Sequence, residues 1–282
     1  MSAPVRPTQR EYWNGKVGEE WARQGDLMDR MLAPLSKPAF AALALAPGES
    51  VLDIGCGAGA TALIAAREVG MSGRVVGVDI SHPLLALARE RAAAAGVQIA
   101  FLDADASAGA IPGEPFDAAF SRFGVMFFDD PPAAFARIRA RLKPGGRFVF
   151  VCWQAFEKNI WSFAPLEALA PILRTPVPPP DPNAPGPFAL ADAQKVQNLL
   201  GGTGWREISM APWEGAFLVG GGGGADAAAA FLLKIGPCAR AINDQGLDPA
   251  EARALLAAFL ARHQTADGVS LPGACWIVRA VA

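Results

Sequence analysis

Tryptophan is missing from the whole stretch between residues 48 and 150, although the chain has seven, at 13, 21, 153, 161, 205, 213 and 276. Tyrosine is reduced to Tyr12 and histidine to His82 and His263, so few side chains could act as a general base near neutral pH. Excess positive charge is missing too. Against 25 Lys and Arg stand 27 Asp and Glu, a net charge of −2, which gives no field for a polynucleotide, and no nucleic-acid partner is expected. No run reaches the ~18 uninterrupted apolar residues of a membrane span, and Met1 to Trp13 contains no apolar secretion core. A cytoplasmic location without a membrane span is therefore expected. The four cysteines, 56, 152, 238 and 275, form no C-x-x-C pair, which argues against a disulfide framework or a zinc site; free buried thiols and no metal are expected.

What the chain does have is an apolar majority, 52% of its 282 residues, enough for one large core, and one stretch around which the rest is organised. Val51-Leu52-Asp53-Ile54-Gly55-Cys56-Gly57-Ala58-Gly59 joins a short apolar strand, a carboxylate and three alternating glycines to the helical run Ala60 to Val69. Such a strand, glycine loop and helix lets backbone approach a ligand closely. Gly55-x-Gly57-x-x-Ala60 satisfies a dinucleotide fingerprint, but Asp53 would repel a pyrophosphate and suits a nucleoside that carries an amino acid. The pattern D-x-G-x-G-x-G with Val-Leu before it resembles motif I of the class I S-adenosylmethionine-dependent methyltransferases. Phe116 to Phe128 and Leu142-Lys143-Pro144-Gly145-Gly146 resemble later motifs of the same family, in particular its ubiquinone and menaquinone type and similar small-molecule enzymes.

Strands and helices alternate from Ser50 to Val151: strands at 51–54, 73–78, 97–102, 116–120 and 147–151, helices at 60–69, 82–95 and 131–142. Apolar strands joined by helices predict a parallel sheet covered on both faces. Further strands are expected at 205–210 and 274–281, with helices at 192–200, 226–235 and 249–262. The resemblance implies a Rossmann-like three-layer α/β sandwich with seven strands, the last inserted antiparallel. One methyltransferase domain, 1–282, is expected: a helical lid at 1–47, a cofactor-binding core at 48–153, and acceptor-side insertions at 154–203 and 220–265. Nine of the 24 prolines fall between Pro165 and Pro187, which predicts a stiff loop, and Gly220 to Gly224 reads as a flexible hinge or turn.

Ligands of an open parallel sheet sit at the carboxyl ends of its strands, near the point where strand order reverses. Asp79 ends the second strand, 24 positions after Gly55, where a carboxylate would accept from ribose hydroxyls. The resemblance implies that Asp105 and Ala106 meet the adenine, with a helix N-cap as the other reading of Asp105, and that Ser121 and Phe123 flank the methionine part. Arg122 could pair with Asp117 or Asp129. The expected cofactor set is Trp13, Asp53, Gly55, Cys56, Gly57, Gly59, Thr61, Asp79, Ile80, Asp105, Ala106, Ser121 and Phe123, for S-adenosyl-L-methionine. Tyr12, Trp21, Met126, Trp153 and Trp161 are expected to line the pocket of a small-molecule methyl acceptor. No catalytic base is assigned, so transfer is expected to rest on orientation and desolvation. A nicotinamide-dependent oxidoreductase and a non-catalytic module that binds S-adenosylmethionine are the alternatives.

Overall fold

A computed structural model describes residues 8–109 and 111–282, so the first seven residues of the expected lid lie outside the described residues. Three helices come first, α1 (Gln9–Asn14), α2 (Lys16–Arg23) and α3 (Gly25–Leu43). The alternating unit follows as β1 (Ser50–Ile54), α4 (Ala60–Val69), β2 (Arg74–Asp79), α5 (His82–Ala94), β3 (Ala100–Asp103), β4 (Phe116–Arg122), α6 (Pro131–Ala140) and β5 (Leu142–Trp153). The remainder is α7 (Ile160–Ala168), α8 (Ala193–Gly202), β6 (Arg206–Leu218), α9 (Ala225–Leu232), α10 (Gly236–Gln245), α11 (Pro249–Ala261), the two-residue β7 (Gln264–Thr265) and β8 (Gly268–Val281). The order across the sheet is β3-β2-β1-β4-β5-β8-β6, with β7 paired to β8 alone. The first five strands run parallel; β8 lies antiparallel between β5 and β6. The expected mixed sheet with its antiparallel insertion is therefore present, and strand order reverses between β1 and β4.

The parallel strands are buried almost throughout because aliphatic and Phe side chains point to both faces. Leu52, Ile54, Phe116, Phe120, Phe148 and Phe150 are fully buried, and Phe135 of α6 packs against Phe148 and Phe150. The fifth strand starts earlier than expected. Leu142 pairs with Phe116 before a register shift, so Lys143 to Gly146 bulges out of the strand and does not form a separate turn.

The N-terminal segment also divides differently. The helices of the segment expected as a lid break at Gly15 and Gln24, and α3 runs on through Pro34 and Pro38. Both prolines lie on the outer side, where water can take the carbonyls they leave without partners. Met31, Leu35, Ala39 and Leu43 form the inner stripe, each buried at 1% exposure or less. Exposing the larger three would cost roughly 1.5–3 kcal/mol each, a large part of a usual domain stability of about 5–15 kcal/mol. Any opening motion is thus confined to residues before Met31.

Beyond β5, strands β6 and β8 continue as a two-stranded extension, with Trp213 to Leu218 paired to Ser270 to Cys275. Because β8 pairs Cys275 with Trp153 at the carboxyl end of β5, this extension rises on the side of the sheet where β1 and β4 end. Helices α7 and α9 pack on β8, and α10 and α11 pack in turn on α7 and α9. The run Gly220 to Gly224 is not a free hinge. Gly220, Gly221 and Gly222 take positive φ, Gly220 is buried against Phe231, and a Cβ on Gly221 would lie 3.0 Å from the Leu27 carbonyl oxygen and from Arg30 Nε of α3.

Candidate active site

Two carboxylates bracket the glycine loop from below. Asp53, at 1% exposure, accepts from Thr61 Oγ1 at 2.7 Å through Oδ2, while its Oδ1 is buried without any partner among the described residues. Burial pushes its pKa up to about 7 against the pull of Thr61 and of the more distant Arg122. Asp79 accepts from the Gly57 amide through Oδ2 and from the Ser81 amide through Oδ1, both at 2.8 Å. Burial raises its pKa, and these amides pull the other way.

The three glycines do different work. A Cβ on Gly55 would sit 2.7 Å from Gly124 Cα, so two backbones cross there, and one on Gly59 would meet Ala88 and Phe101. Gly57, with φ +52°, has nothing within 4 Å of that position and faces open space. The loop amides are largely spent. Those of Gly55 and Cys56 donate to the Val78 carbonyl, that of Gly57 to Asp79 and that of Gly59 to the Cys56 carbonyl. A pyrophosphate needs such donors free; a nucleoside with an ammonium group needs carboxylates, which are there. Cys56 contributes backbone only, its sulfur being turned toward Gly77.

The strand ends complete one side. Ser121 is buried and donates to the Ile54 carbonyl at 2.7 Å, which ties β4 to β1. Phe123 has φ +67°, sparsely populated for a residue with a Cβ, and its ring stacks on Trp153 at 4.2 Å and 12°. Asp105 accepts from the amide and hydroxyl of Ser107 through Oδ1 in a turn that no helix follows among the described residues, so it caps no helix, and Ala106 is buried beside it. Asp103 holds Arg10 and His82 on the surface. Arg122 pairs neither with Asp117 nor with Asp129 but with Asp29 of α3.

The first helices lie across this site. Asn14 donates to the Ile80 carbonyl at 2.7 Å and accepts from the His82 amide at 2.9 Å, while Ser81 Oγ donates to the Trp13 carbonyl at 2.9 Å. Trp13 meets Tyr12, Trp21 and Phe127 edge-on, at 5.5, 5.3 and 5.6 Å. The expected acceptor residues therefore divide in two. Tyr12 and Trp21 join the Trp13 cluster; Trp153 and Trp161 join Phe123, Phe217 and Trp213 under the β6–β8 extension. Met126 is buried at 2% exposure, closed inside the core. Sequence reasoning missed Asn14 and Asp29, which are short polar residues on helices and carry no local signal of what they reach.

Among the described residues neither histidine faces this space. His82 is bound to Asp103 at the rim, and His263 lies against Phe259, next to β7 at the tip of the extension. Cys152 donates to the Leu190 carbonyl, and burial drives its pKa far above the ordinary thiol range. Desolvation also raises the Tyr12 phenol.

Residues 51–146 match the family described as a methyltransferase domain. Over 141 residues the chain is 36% identical to an aklanonic acid methyltransferase of Streptomyces sp. strain C5, covering 50% of this chain and 60% of that protein. Over 108 residues it is 41% identical to a demethylmenaquinone methyltransferase of Thermus thermophilus, covering 38% and 48%. The match thus spans about half the length of these relatives. Among solved structures, a phosphoethanolamine N-methyltransferase of Haemonchus contortus in complex with S-adenosylhomocysteine aligns with TM-score 0.58 and 20% identity over 99% of this chain and 61% of that one. The [4+2]-cyclase SpnF aligns with TM-score 0.57 and 19% identity over 98% and 97%. These structural likenesses show a shared fold. Among the described residues no helix is long and apolar enough to cross a membrane.

Proposed function

We propose, from the premise that residues 51–146 match a methyltransferase domain, that the chain is a class I, S-adenosylmethionine-dependent enzyme and transfers the cofactor's methyl group to a small-molecule nucleophile. When bound, S-adenosylmethionine supplies a methyl group on a positively charged sulfur, open to displacement from the opposite side. Asp79 would take the ribose hydroxyls, its carboxylate already oriented by the Gly57 and Ser81 amides. Asp53 would take the ammonium group, directly or through water, on its unpartnered Oδ1. Thr61 orients Asp53; the backbone around Asp105 and Ala106 would border the adenine. Asn14 and Trp13 bring the first helices down on Ile80 and Ser81 and exclude water from the nucleoside end.

The observation that carries this reading is the pairing of a buried, partnerless carboxylate oxygen with an open Gly57 in a loop whose amides are largely occupied. It favours a cationic nucleoside over a dinucleotide. With Asp53 given over to the ammonium group and neither histidine among the described residues facing the site, the chain's part in transfer is to orient and desolvate, which can lower a barrier by several kcal/mol. The acceptor is then an easily ionised nucleophile, such as a thiol, an acidic phenol or enol, or a carboxylate. Names of relatives that refer to aklanonic acid and to demethylmenaquinone support a small organic acceptor of this sort. A single domain acting in the cytoplasm belongs to the same proposal, supported by a hydrophobic cluster with members from Trp21 to Ala282 and by four free buried thiols.

Calorimetry with S-adenosylmethionine and with NAD tests the cofactor: binding of the first and not the second is expected. Turnover of methyl-labelled cofactor over acceptors of different pKa tests the rest. A pH profile of kcat/KM that follows the acceptor supports transfer without a protein base. A fixed profile abolished by His263→Ala or Tyr12→Phe overturns it.

A further inference from the structure

Consecutive residues of α3 hold two different parts of the molecule. Asp29 accepts from Arg91 Nη1 on one oxygen and from Arg122 Nη2 on the other, both at 2.8 Å. Arg91 also pairs with Asp26, and its Nη1 reaches the carbonyl of Ala58, in the middle of the glycine loop, at 3.1 Å. The next residue, Arg30, donates through Nε to the Gly221 carbonyl at 3.1 Å, where the helix rests on the backbone of the glycine run. Neighbouring positions on a helix point about 100° apart, which lets 29 and 30 serve different partners. The Arg91 and Arg122 side chains are only 18% and 11% exposed, and Asp29, at 26%, is the carboxylate that both share. Before Met31, the apolar residues Leu27 and Met28 are only partly buried against the core, so polar ties of this kind add to what places the first turns of α3.

We propose that Asp29 is a positioning residue that couples the cofactor loop to the acceptor-side cover. Bridging Arg91 and Arg122 fixes the first turns of α3 and keeps Arg91 on the Ala58 carbonyl. The same turns seat the glycine run through Arg30 and Leu27. Order in the loop and order in the cover then rise and fall together, and by reciprocity a ligand that stabilises the loop stabilises the cover. Loss of the Asp29 charge leaves two poorly solvated guanidinium groups side by side without their shared counter-charge, and the tie opens. The proposal rests on the reading of the glycine loop as the cofactor site, but the first arm of its test does not.

That arm is hydrogen exchange on the ligand-free full chain, comparing the parent with Asp29→Ala, Asp29→Asn and Asp29→Glu. Faster exchange is expected in three separate places, residues 25–32, 56–62 and 219–224, for both Ala and Asn, with recovery in Glu and unchanged exchange in β1, β4 and β5 as the control for folding. Acceleration confined to 25–32 would make Asp29 a local anchor of the helix and overturn the coupling. The second arm is calorimetry with S-adenosylhomocysteine, in which Ala and Asn should raise Kd roughly five- to tenfold and Glu restore it. Parent-like affinity in both variants overturns the tie to the loop. A parent that takes up no S-adenosylhomocysteine overturns the cofactor reading, and the exchange arm then still decides the coupling.

Discussion

Two buried polar groups in different halves of the molecule are treated in opposite ways. In the cofactor half, Asp53 is closed off from solvent with one oxygen on Thr61 and the other on nothing. In the half after β5, Asn159 is equally buried, yet its amide donates to the carbonyls of Gln154 and Ala155 and its oxygen accepts from the Ala274 amide and Trp161 Nε1. A fully paired polar group holds elements together; it fixes the turn after β5 onto β8. A buried oxygen with no partner costs stability unless something else supplies the missing contact, which on the proposed function is the cofactor's ammonium group. The halves also differ in their aromatic rings. Between residues 48 and 150 Phe is present without any Trp or Tyr, while every Trp and the single Tyr lie outside that stretch.

The sharpest way to break this comparison is Gly57→Val. It should abolish S-adenosylhomocysteine binding in calorimetry, because the side chain fills the open space, while strain at positive φ lowers stability by only about 1–2 kcal/mol. Retained binding would move the ligand elsewhere. Asn159→Ala should do the reverse. Leaving the Ala274 amide and the Gln154 carbonyl buried and unpaired should cost about 2–4 kcal/mol in denaturant unfolding, with cofactor affinity near that of the parent, since the site is untouched. Loss of affinity there would show that the halves are not separable.

Much of the cofactor half was legible because its signals are local. Gly55, Gly57 and Asp79 are placed by a strand that ends and a loop that must turn, and both are written in consecutive residues. The helix expected over 60–69 forms with those bounds. The other half was legible only as segments. Asp29 meets Arg91 and Arg122 across 62 and 93 positions, and on its own helix it looks like any solvated carboxylate. Gly221 suggested flexibility by composition, but its role is to make room for α3. Chemistry that depends on which distant element arrives opposite a residue leaves no periodicity to read.

A smaller effect sharpens the role of Asp79. Asp79→Ala should weaken S-adenosylhomocysteine by about 1.5–3 kcal/mol, the range for a hydrogen bond to a charged group, and should also free the Gly57 amide to exchange faster. The smallest expected effect concerns Asp53. With its pKa raised to about 7 in the folded chain from an ordinary 3.8, the empty protein holds this proton more tightly than the unfolded chain does. Its stability contribution is therefore present at low pH and declines as pH rises through about 7. Binding of an ammonium group favours the ionised form, so affinity should rise from pH 6 to 8, by at most about tenfold per unit below pH 7, with proton release in calorimetry. Asp53→Asn should flatten that dependence. A pH-independent parent would separate Asp53 from the ligand.

The place of β8 between β5 and β6 has a consequence for how the chain is made. The ribosome delivers β5 and β6 long before β8, so during synthesis each presents a strand edge that nothing yet covers, and β6 has no other strand to pair with among the described residues. Pairing across such a separation is slow to close, and open edges invite association with neighbouring nascent chains. Pro212 and the charged residues Arg206, Glu207 and Glu214 along β6 make that waiting strand a poor template for a stranger.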